Sequence, residues 1–495
     1  MKRSFPADSL LTAFFTTLGL AVMGYHPGIE DDGVYLSAVK SNLNPALYPH
    51  DAVFFRLQLQ ATFFDSWVAG FVRLTGVPVA WNELILQVAS IAIIVFASFG
   101  IARELFAEAR AQWAGVAMVA AMFTLPVAGT GLYLVDQHLH PRNLATALIL
   151  MAVYRILAGW RWQAIPLLAV SLMVHPIMAA MGISFCLFLT LTMLDPAPAW
   201  LRSWTGTGKG SFAVAFAPLG WVFDSPTPLW RKALATRTYF FLERWTWYEW
   251  LGAIAPLLLF CLLWRIALRR GQAMLGRFGL AVLLYGIFQF VVAVFILKTP
   301  ALIRLAPLQP MRFLHLIYFF MTLVGGCLAG KYLLEASLWR WALFLLAING
   351  SMFLAQRFQF AHSEHLELPG VVSANSWLEA FTWVRQNTPT DAYFALDPDY
   401  LALPGEDYHS FRALAERSQL ADNIKDTAVV TQVPVLAPAW SRQVEAQRGW
   451  AHFKPEEFER LKVEFGVNWV LVSYPQPAGV DCKWHNDSLS VCQIR

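Results

Sequence analysis

As far as residue 361 the chain alternates between long apolar stretches and short clusters of charge, and then its character changes. A stretch of about 20 apolar residues can cross a bilayer as a helix, because all backbone polar groups are then satisfied within the segment. The pattern predicts spans at 9–25, 83–102, 112–129, 143–159, 163–175, 177–194, 250–266, 278–297, 312–330 and 340–356. The pair 163–175 and 177–194 is short and broken at His175-Pro176, where proline removes a helical donor and restricts the residue before it. Basic clusters then orient the spans: Arg103 and Arg110, Arg155 and Arg161, Arg202 and Lys209, Arg265 to Arg277, and Lys331 to Arg340 are predicted to be cytoplasmic. Alternation places outside the loop after the first span, the loop 130–142, the His175 turn, the segment 224–249, the loop 298–311 and everything after 357.

The first apolar run, Leu10 to Met23, follows Lys2 and Arg3, and no small-x-small cleavage site precedes His26-Pro27-Gly28. It is expected to be an uncleaved span with its N-terminus in the cytoplasm. These ten candidates would return the C-terminus to the inside. A further crossing at 211–223 gives about eleven spans, and reading 163–194 as one interrupted crossing gives about nine; both put the C-terminus outside.

From His362 onward the polarity is that of a soluble protein. "SANSWLEAFTWVRQNTPTD" has an Asn/Ser start, apolar positions at helical spacing and a Thr-Pro stop. "AYFALD" and "NWVLVSY" read as buried strands, and "KPEEFERLKVEFG" as a helix ended by Gly466. The expected organisation is a membrane domain over 1–361, including a first external loop at 25–82, and an external α/β domain over 362–495.

Composition agrees with this pattern. The 495 residues are 57% hydrophobic and 14% charged, too little charge to cover a soluble surface of that size, and mean hydropathy is +0.48. The net charge of +4 is spread over short clusters, which sets topology and argues against a nucleic-acid surface. Cys482 and Cys492 lie in the external domain, whereas Cys186, Cys261 and Cys327 lie in predicted spans. Confinement of one pair to the external side suggests a disulfide, two separate thiols being the other reading. No phosphate loop, dinucleotide fingerprint or zinc-finger spacing occurs, so ATP-driven cytoplasmic chemistry has no seat.

Candidate chemistry begins at Glu30, Asp31 and Asp32, three adjacent carboxylates opening the first external loop. They suit the N-terminus of "GVYLSAVKSNL", an expected amphipathic helix at the membrane surface. One carboxylate would serve for that; three also fit a general base, or oxygen ligands for Mg²⁺ or Mn²⁺, at the mouth of a cavity. A second polar cluster, "VDQHLHPRN", holds Asp136, His138, His140 and Arg142 on the same predicted side. It could bind a divalent metal, tune a base or, through Arg142, hold a phosphate; a solvated loop with Arg142 capping the next span is the structural alternative. His175 falls on that side as well. Arg56, Arg237, Arg244, Lys298, Arg304 and Arg312 run against the positive-inside trend, which suggests an anionic partner such as a lipid phosphate, with snorkelling toward headgroups as the alternative. The aromatic run "YFFLERWTWYEWLG" reads as an interfacial belt.

With these pieces the chain resembles the GT-C type of polytopic membrane glycosyltransferase, as a bacterial relative. The resemblance rests on the first span followed by Asp31-Asp32, the loop Asp136 to Arg142, the His175-Pro176 turn, the external C-terminal domain, and "WLEAFTWVRQNTPTDAYFALDP" at the start of that domain. It implies a GT-C-like bundle in a bacterial inner membrane and a polyprenyl-phosphate-linked sugar donor. It also implies a glycan, lipid or protein acceptor and inverting transfer on the periplasmic side. Carried onto this sequence, Asp32 would be the base with Asp31 positioning it, Glu30 being an addition to the pattern. Arg142, Arg304, Arg244 and Lys298 would meet the donor phosphate. A transporter or flippase for a lipid-linked sugar, and a non-catalytic envelope assembly protein, are the other functions compatible with the sequence.

Overall fold

The computed structural model describes residues 5–194 and 225–494; the expected crossing at 211–223, together with Arg202 and Lys209, lies outside the described residues. The membrane part begins with α1 (Phe5–Met23), followed by α2 (Asp32–Leu43), α3 (Val53–Leu59) and α4 (Phe64–Thr75) of the first loop. Next come α5 (Val79–Leu105) and α6 (Ala109–Ala121), a small hairpin of β1 (Pro126–Val127) and β2 (Leu132–Tyr133), and then α7 (Pro141–Leu157), α8 (Ala164–Val174) and α9 (Pro176–Met193). After the undescribed stretch come α10 (Pro228–Ala235), α11 (Trp247–Arg269), α12 (Ala273–Lys298), α13 (Leu314–Ala329) and α14 (Leu338–Gln359).

Among the described residues, six helical stretches have the length and hydropathy to cross a bilayer: Val79–Leu105, Pro176–Met193, Trp247–Arg269, Ala273–Lys298, Pro310–Leu334 and Leu338–Gln359. The chain is thus a polytopic helical membrane protein with a C-terminal α/β domain. The apolar parts of the other candidates are shorter; Arg161–Val174 extends roughly 20 Å, less than the hydrocarbon thickness. Helices α6 and α13 approach closely through small residues. A methyl group at Gly326 would lie 2.7 Å from the Ala114 carbonyl and 2.8 Å from Gly115 Cα. Gly326 and Gly330 recur four residues apart on one face, as helices in lipid need for backbone contact.

The C-terminal domain is built on a five-stranded sheet of β3 (Tyr393–Ala395), β4 (Ser418–Gln419), β5 (Trp469–Ser473), β6 (Val480–His485) and β7 (Leu489–Ile494), in the order β4-β3-β5-β7-β6. The first three are parallel and the last two antiparallel. Helix α15 (Ser376–Asn387) and the short α16 (Phe411–Ala415) cover one face, packing Phe381 and Phe411 on Phe394 and Trp469. Helices α17 (Lys425–Gln432) and α18 (Ala437–Ala446) follow β4, and α19 (Pro455–Phe465) covers the opposite face with Phe458 and Leu461. The side chain of Asn375 caps α15, accepting from Trp377 N and Leu378 N, and Gly466 ends α19 in the left-handed conformation. Cys482 and Cys492 are cross-strand partners on β6 and β7 and form a disulfide.

The first loop is not laid on the membrane surface. Helix α2 is mostly buried, and Lys40 at its end donates to Ala413 O at 2.8 Å and pairs with Glu416 at 2.7 Å, both in the C-terminal domain. The apolar face that suggested a surface helix is covered by protein instead. Backbone hydrogen bonds zip the loop to the same domain: Tyr25 N to His365 O, Glu367 N to Tyr25 O, Glu30 N to Tyr408 O and Ser410 N to Gly28 O, all 2.8 to 3.1 Å. Beneath them Arg412, 1% exposed, donates Nε to Asp51 Oδ2 at 2.6 Å and both terminal nitrogens to Asp426 at 3.1 Å. Removing one partner of a buried ion set strands the other charges, which costs about 3–5 kcal/mol. Arg412→Met should therefore lower the thermal midpoint in detergent and expose 411–432 to protease, with Arg412→Lys falling between it and wild type.

Candidate active site

Glu30 adopts a left-handed backbone (φ 51°), and Asp31 and Asp32 follow at the start of α2. Consecutive residues at a helix start point about 100° apart, so adjacent carboxylates cannot share one environment. Asp32 is 1% exposed and its Oδ2 accepts the Gly28 N–H at 2.7 Å. Gly28 must be glycine: its φ is +82°, and a Cβ there would strike the Leu414 side chain at 2.6 Å. Burial raises the Asp32 carboxyl, against the opposing pull of His138. Asp31 occupies the N-cap position yet makes no capping bond, and its side chain opens onto a cavity. The structure thus puts Asp31 and Glu30 on the cavity wall and turns Asp32, the expected base, away into a structural contact.

That cavity, about 420 Å³, is bounded by Asp31 and Glu30, by the cations Arg142, Arg237, Arg312 and Lys425, and by Tyr35, His140 and His175. Leu59, Val174, Ile177 and Leu308 make an apolar side. A second cavity of about 480 Å³ also reaches Glu30, Asp31 and Arg142; its other walls include Asp136, Glu249, Gln137, Gln359, Tyr133 and Tyr248. One cavity is rich in cations and the other in carboxylates, amides and aromatic rings, with Asp31 on the wall of both.

Two histidine–proline dipeptides, His140-Pro141 and His175-Pro176, place imidazoles here by the same local rule. His140 and His175 are the N-caps of α7 and α9, with proline at the first helical position, where no N–H is needed. His140 Nδ1 accepts from Arg142 N at 2.9 Å and His175 Nδ1 accepts from Met178 N at 3.3 Å. Each Nδ1 is therefore unprotonated, and the ring proton of the neutral form sits on Nε2. His140 Nε2 stands 3.5 Å from Asp31 Oδ2, and the two rings are 6.2 Å apart. The positive ends of α7 and α9 point the same way and add to the cationic character of the cavity.

Lys425, at the start of α17, pairs with Glu30 and lies 3.3 Å from Asp31 Oδ1. Burial alone would raise the Asp31 carboxyl, but Lys425, His140 and Arg142 more than offset it and hold the group well below the usual carboxylate range. Burial and the Arg142 guanidinium push His140 down to about 4, against the pull of Asp136 and Asp31. Arg142 itself is committed to Asp136, with Nε at 3.0 Å and a terminal nitrogen at 2.5 Å from the carboxylate. Asp136 is held far into the ionised range, burial being outweighed by Arg142 and the two histidines. Both ring nitrogens of His138 are buried and have no hydrogen-bond partner among the described residues.

The remaining expectations fare differently. Arg304, Arg244 and Lys298 line neither cavity. Lys298 pairs with Glu243 at 2.9 Å, Arg244 donates to Ala235 O at 3.0 Å, and Arg304 reaches Ser225 O at 3.3 Å beside the Trp230 ring. Arg56 donates to Ser41 Oγ at 2.5 Å within the first loop. Arg237 and Arg312, from the same group of outside cations, do reach the first cavity. Lys425 was missed, 394 residues from Asp31 in the chain, and no local pattern marked it. Among the described residues no group of three or more His, Cys, Asp or Glu is placed to hold a metal ion. Asp31 and Asp136 each have a cation beside them, Lys425 at 3.3 Å and Arg142 at 2.5 Å.

No known family's sequence profile matches the chain, and no curated protein does. Among solved structures the chain is similar to the archaeal oligosaccharyltransferase AglB from Archaeoglobus fulgidus, in complex with an inhibitory peptide and a dolichol-phosphate. Identity is 11%, the likeness covers 94% of this chain and 69% of that one, and the TM-score is 0.42, below the level that defines a common fold.

The lowered pKa values of His140 and Asp31 act with one sign. The unfolded chain binds more protons than the folded one wherever His140 is charged only in the unfolded state, between about 6.5 and about 4. Stability from this group rises with pH across that window. The Asp31 contribution is complete above its unfolded value near 3.9 and is lost as pH falls through its lower native value. His140→Asn keeps a good N-cap acceptor and removes the titration, so thermal midpoints measured from pH 4 to 6.5 should show a flatter slope than wild type.

Proposed function

We propose that this chain is a membrane glycosyltransferase of the GT-C type, moving a sugar from a polyprenyl-phosphate donor to a hydroxyl-bearing cell-envelope acceptor, with Asp31 as general base. The observation that carries the reading is the placement of Asp31 between a cation-lined and a carboxylate-lined cavity. The donor phosphate would sit in the first, against Arg237, Arg312 and Lys425, where positive charge stabilises the leaving phosphate as the glycosidic bond breaks. Its lipid tail would leave along Leu59, Val174 and Ile177, each buried methylene contributing about 0.8 kcal/mol. The acceptor would enter from the second cavity and give its proton to Asp31 as its oxygen attacks the sugar carbon. The reading is a single displacement with inversion, the acceptor oxygen bonding to the sugar carbon as the phosphate leaves.

The site also suggests how the base is controlled. In the free protein Lys425 neutralises Glu30 and Asp31, leaving Asp31 a weak base. A donor phosphate would compete for Lys425, and its departure from Asp31 would raise the basicity of that carboxylate when the donor is in place. The reading places the site on the periplasmic face of a bacterial inner membrane, with the N-terminus in the cytoplasm.

The test compares Asp31→Asn, Asp32→Asn and Lys425→Met in membranes carrying equal amounts of folded protein, given radiolabelled polyprenyl-phosphate sugars. Asp31→Asn should lose at least about 10²-fold in transfer, as expected for a missing general base. Asp32→Asn should retain transfer, because its amide oxygen can still accept from Gly28. Lys425→Met should move the acid limb of the pH–rate profile upward and weaken donor binding. Wild-type rates in Asp31→Asn would end the catalytic assignment.

A further inference from the structure

The membrane domain carries a third hollow, at the opposite end of α11 from the two cavities. Tyr248 and Glu249 at the start of α11 line the second cavity, and Arg270, just past its last residue, closes the third, roughly 30 Å along the helix axis. This groove of about 360 Å³ runs between α11, α12 and α13 and is almost wholly apolar, with Leu259, Leu263, Met321 and Leu328 among its walls. Gly325 forms part of its floor: a Cβ built there would meet no heavy atom within 4 Å, so the missing side chain leaves open space rather than a helix contact. At one end the guanidinium of Arg270 donates to the Tyr332 hydroxyl at 3.1 Å and stacks over that ring at 5.6 Å. Arg265 and Arg269 are exposed on the same helix end, and the positive-inside bias assigns this cluster to the cytoplasmic leaflet.

A hydrocarbon slot capped by a hydrogen-bonded arginine has the chemistry of one kind of occupant. We infer that this groove is a binding site for a single anionic phospholipid, an acyl chain lying along α11 and α13 over Gly325 and the headgroup phosphate meeting Arg270 and Tyr332. A neutral lipid tail would fill the slot equally well, but it would leave the arginine cluster without a counter-charge. Basic pockets between membrane helices select anionic headgroups for that reason. The assignment is independent of the catalytic reading, since the groove shares no residue with either cavity.

Native mass spectrometry of the full-length chain in detergent tests it, with dioleoylphosphatidylglycerol or dioleoylphosphatidylcholine added at equal concentration. Wild type should hold one phosphatidylglycerol in preference to phosphatidylcholine. Arg270→Gln should lose about fivefold in that affinity, the factor one interfacial cation contributes. Gly325→Leu fills the floor and should abolish the bound lipid with no fall in thermal midpoint. Gly350→Leu, on α14 and also facing open space, is the matched control and should bind as wild type. Equal binding of the two lipids by wild type, or wild-type phosphatidylglycerol binding by Gly325→Leu, would overturn the inference. If Gly325→Leu is destabilised, an unchanged Arg270→Gln affinity would do the same.

Discussion

A buried guanidinium lies at the junction of the two halves of this protein. Arg412 of the C-terminal domain is enclosed by Asp51 of the first loop and Asp426 of its own domain, and Asp51 also accepts Gln419 N at 3.0 Å. Removing three charges from water is costly, and the planar fork of arginine offsets that cost only in one geometry. The arrangement therefore selects one docking of the loop on the domain. Lys425 is the residue before Asp426, so the clamp that orients Asp426 also sets the start of α17 against Glu30 and Asp31. The candidate site is in this sense a product of the interface and belongs to neither half alone.

Local rules prepare the other wall. Proline at the first turn of α7 and α9 leaves the preceding histidine as N-cap, which consumes Nδ1 and directs Nε2 away from the helix. Two helix ends built this way give the cavity two neutral imidazoles and two positive dipole ends, with Arg142 beside them. The charge balance follows from this: cations beside Asp31 hold its carboxyl low, while Asp32, one residue on, is buried and accepts a backbone N–H. The same carboxylate chemistry has two outcomes, separated by one step of the chain.

Much of this was legible in the chain. Most apolar runs fall on helices, from 83–102 within Val79–Leu105 to 340–356 within Leu338–Gln359, because membrane helices must be apolar over a set length. The exception is 112–129, whose helix ends at Ala121 before the β1–β2 hairpin, and six of the described stretches have the length and hydropathy to cross a bilayer. Two helices and two strands of the C-terminal domain were readable from caps and alternation, Asn375 and Gly466 included, whereas β4, β6, β7 and the helices between 411 and 446 were not. Glu30 and Asp31 of the acidic triplet, the Asp136–Arg142 loop and His175 line adjoining cavities, while Asp32 does not. Less legible was which outside cations matter. Being out of place by the charge rule marks a residue but not its direction, and Lys298, Arg244 and Arg304 turned to local partners while Arg237 and Arg312 turned inward.

By itself, then, the sequence determined the class of protein, the positions of most of its apolar helices and several elements of its C-terminal domain. Each of these follows from length, hydropathy or a cap within a short window. Tertiary structure alone decided that Asp31 rather than Asp32 faces the cavity, that Lys425 reaches across 394 residues to it, and that α2 is buried instead of resting on lipid. Those outcomes depend on how one surface closes on another. Periodicity and charge bias describe a segment against its solvent and carry no information about the partner it will meet.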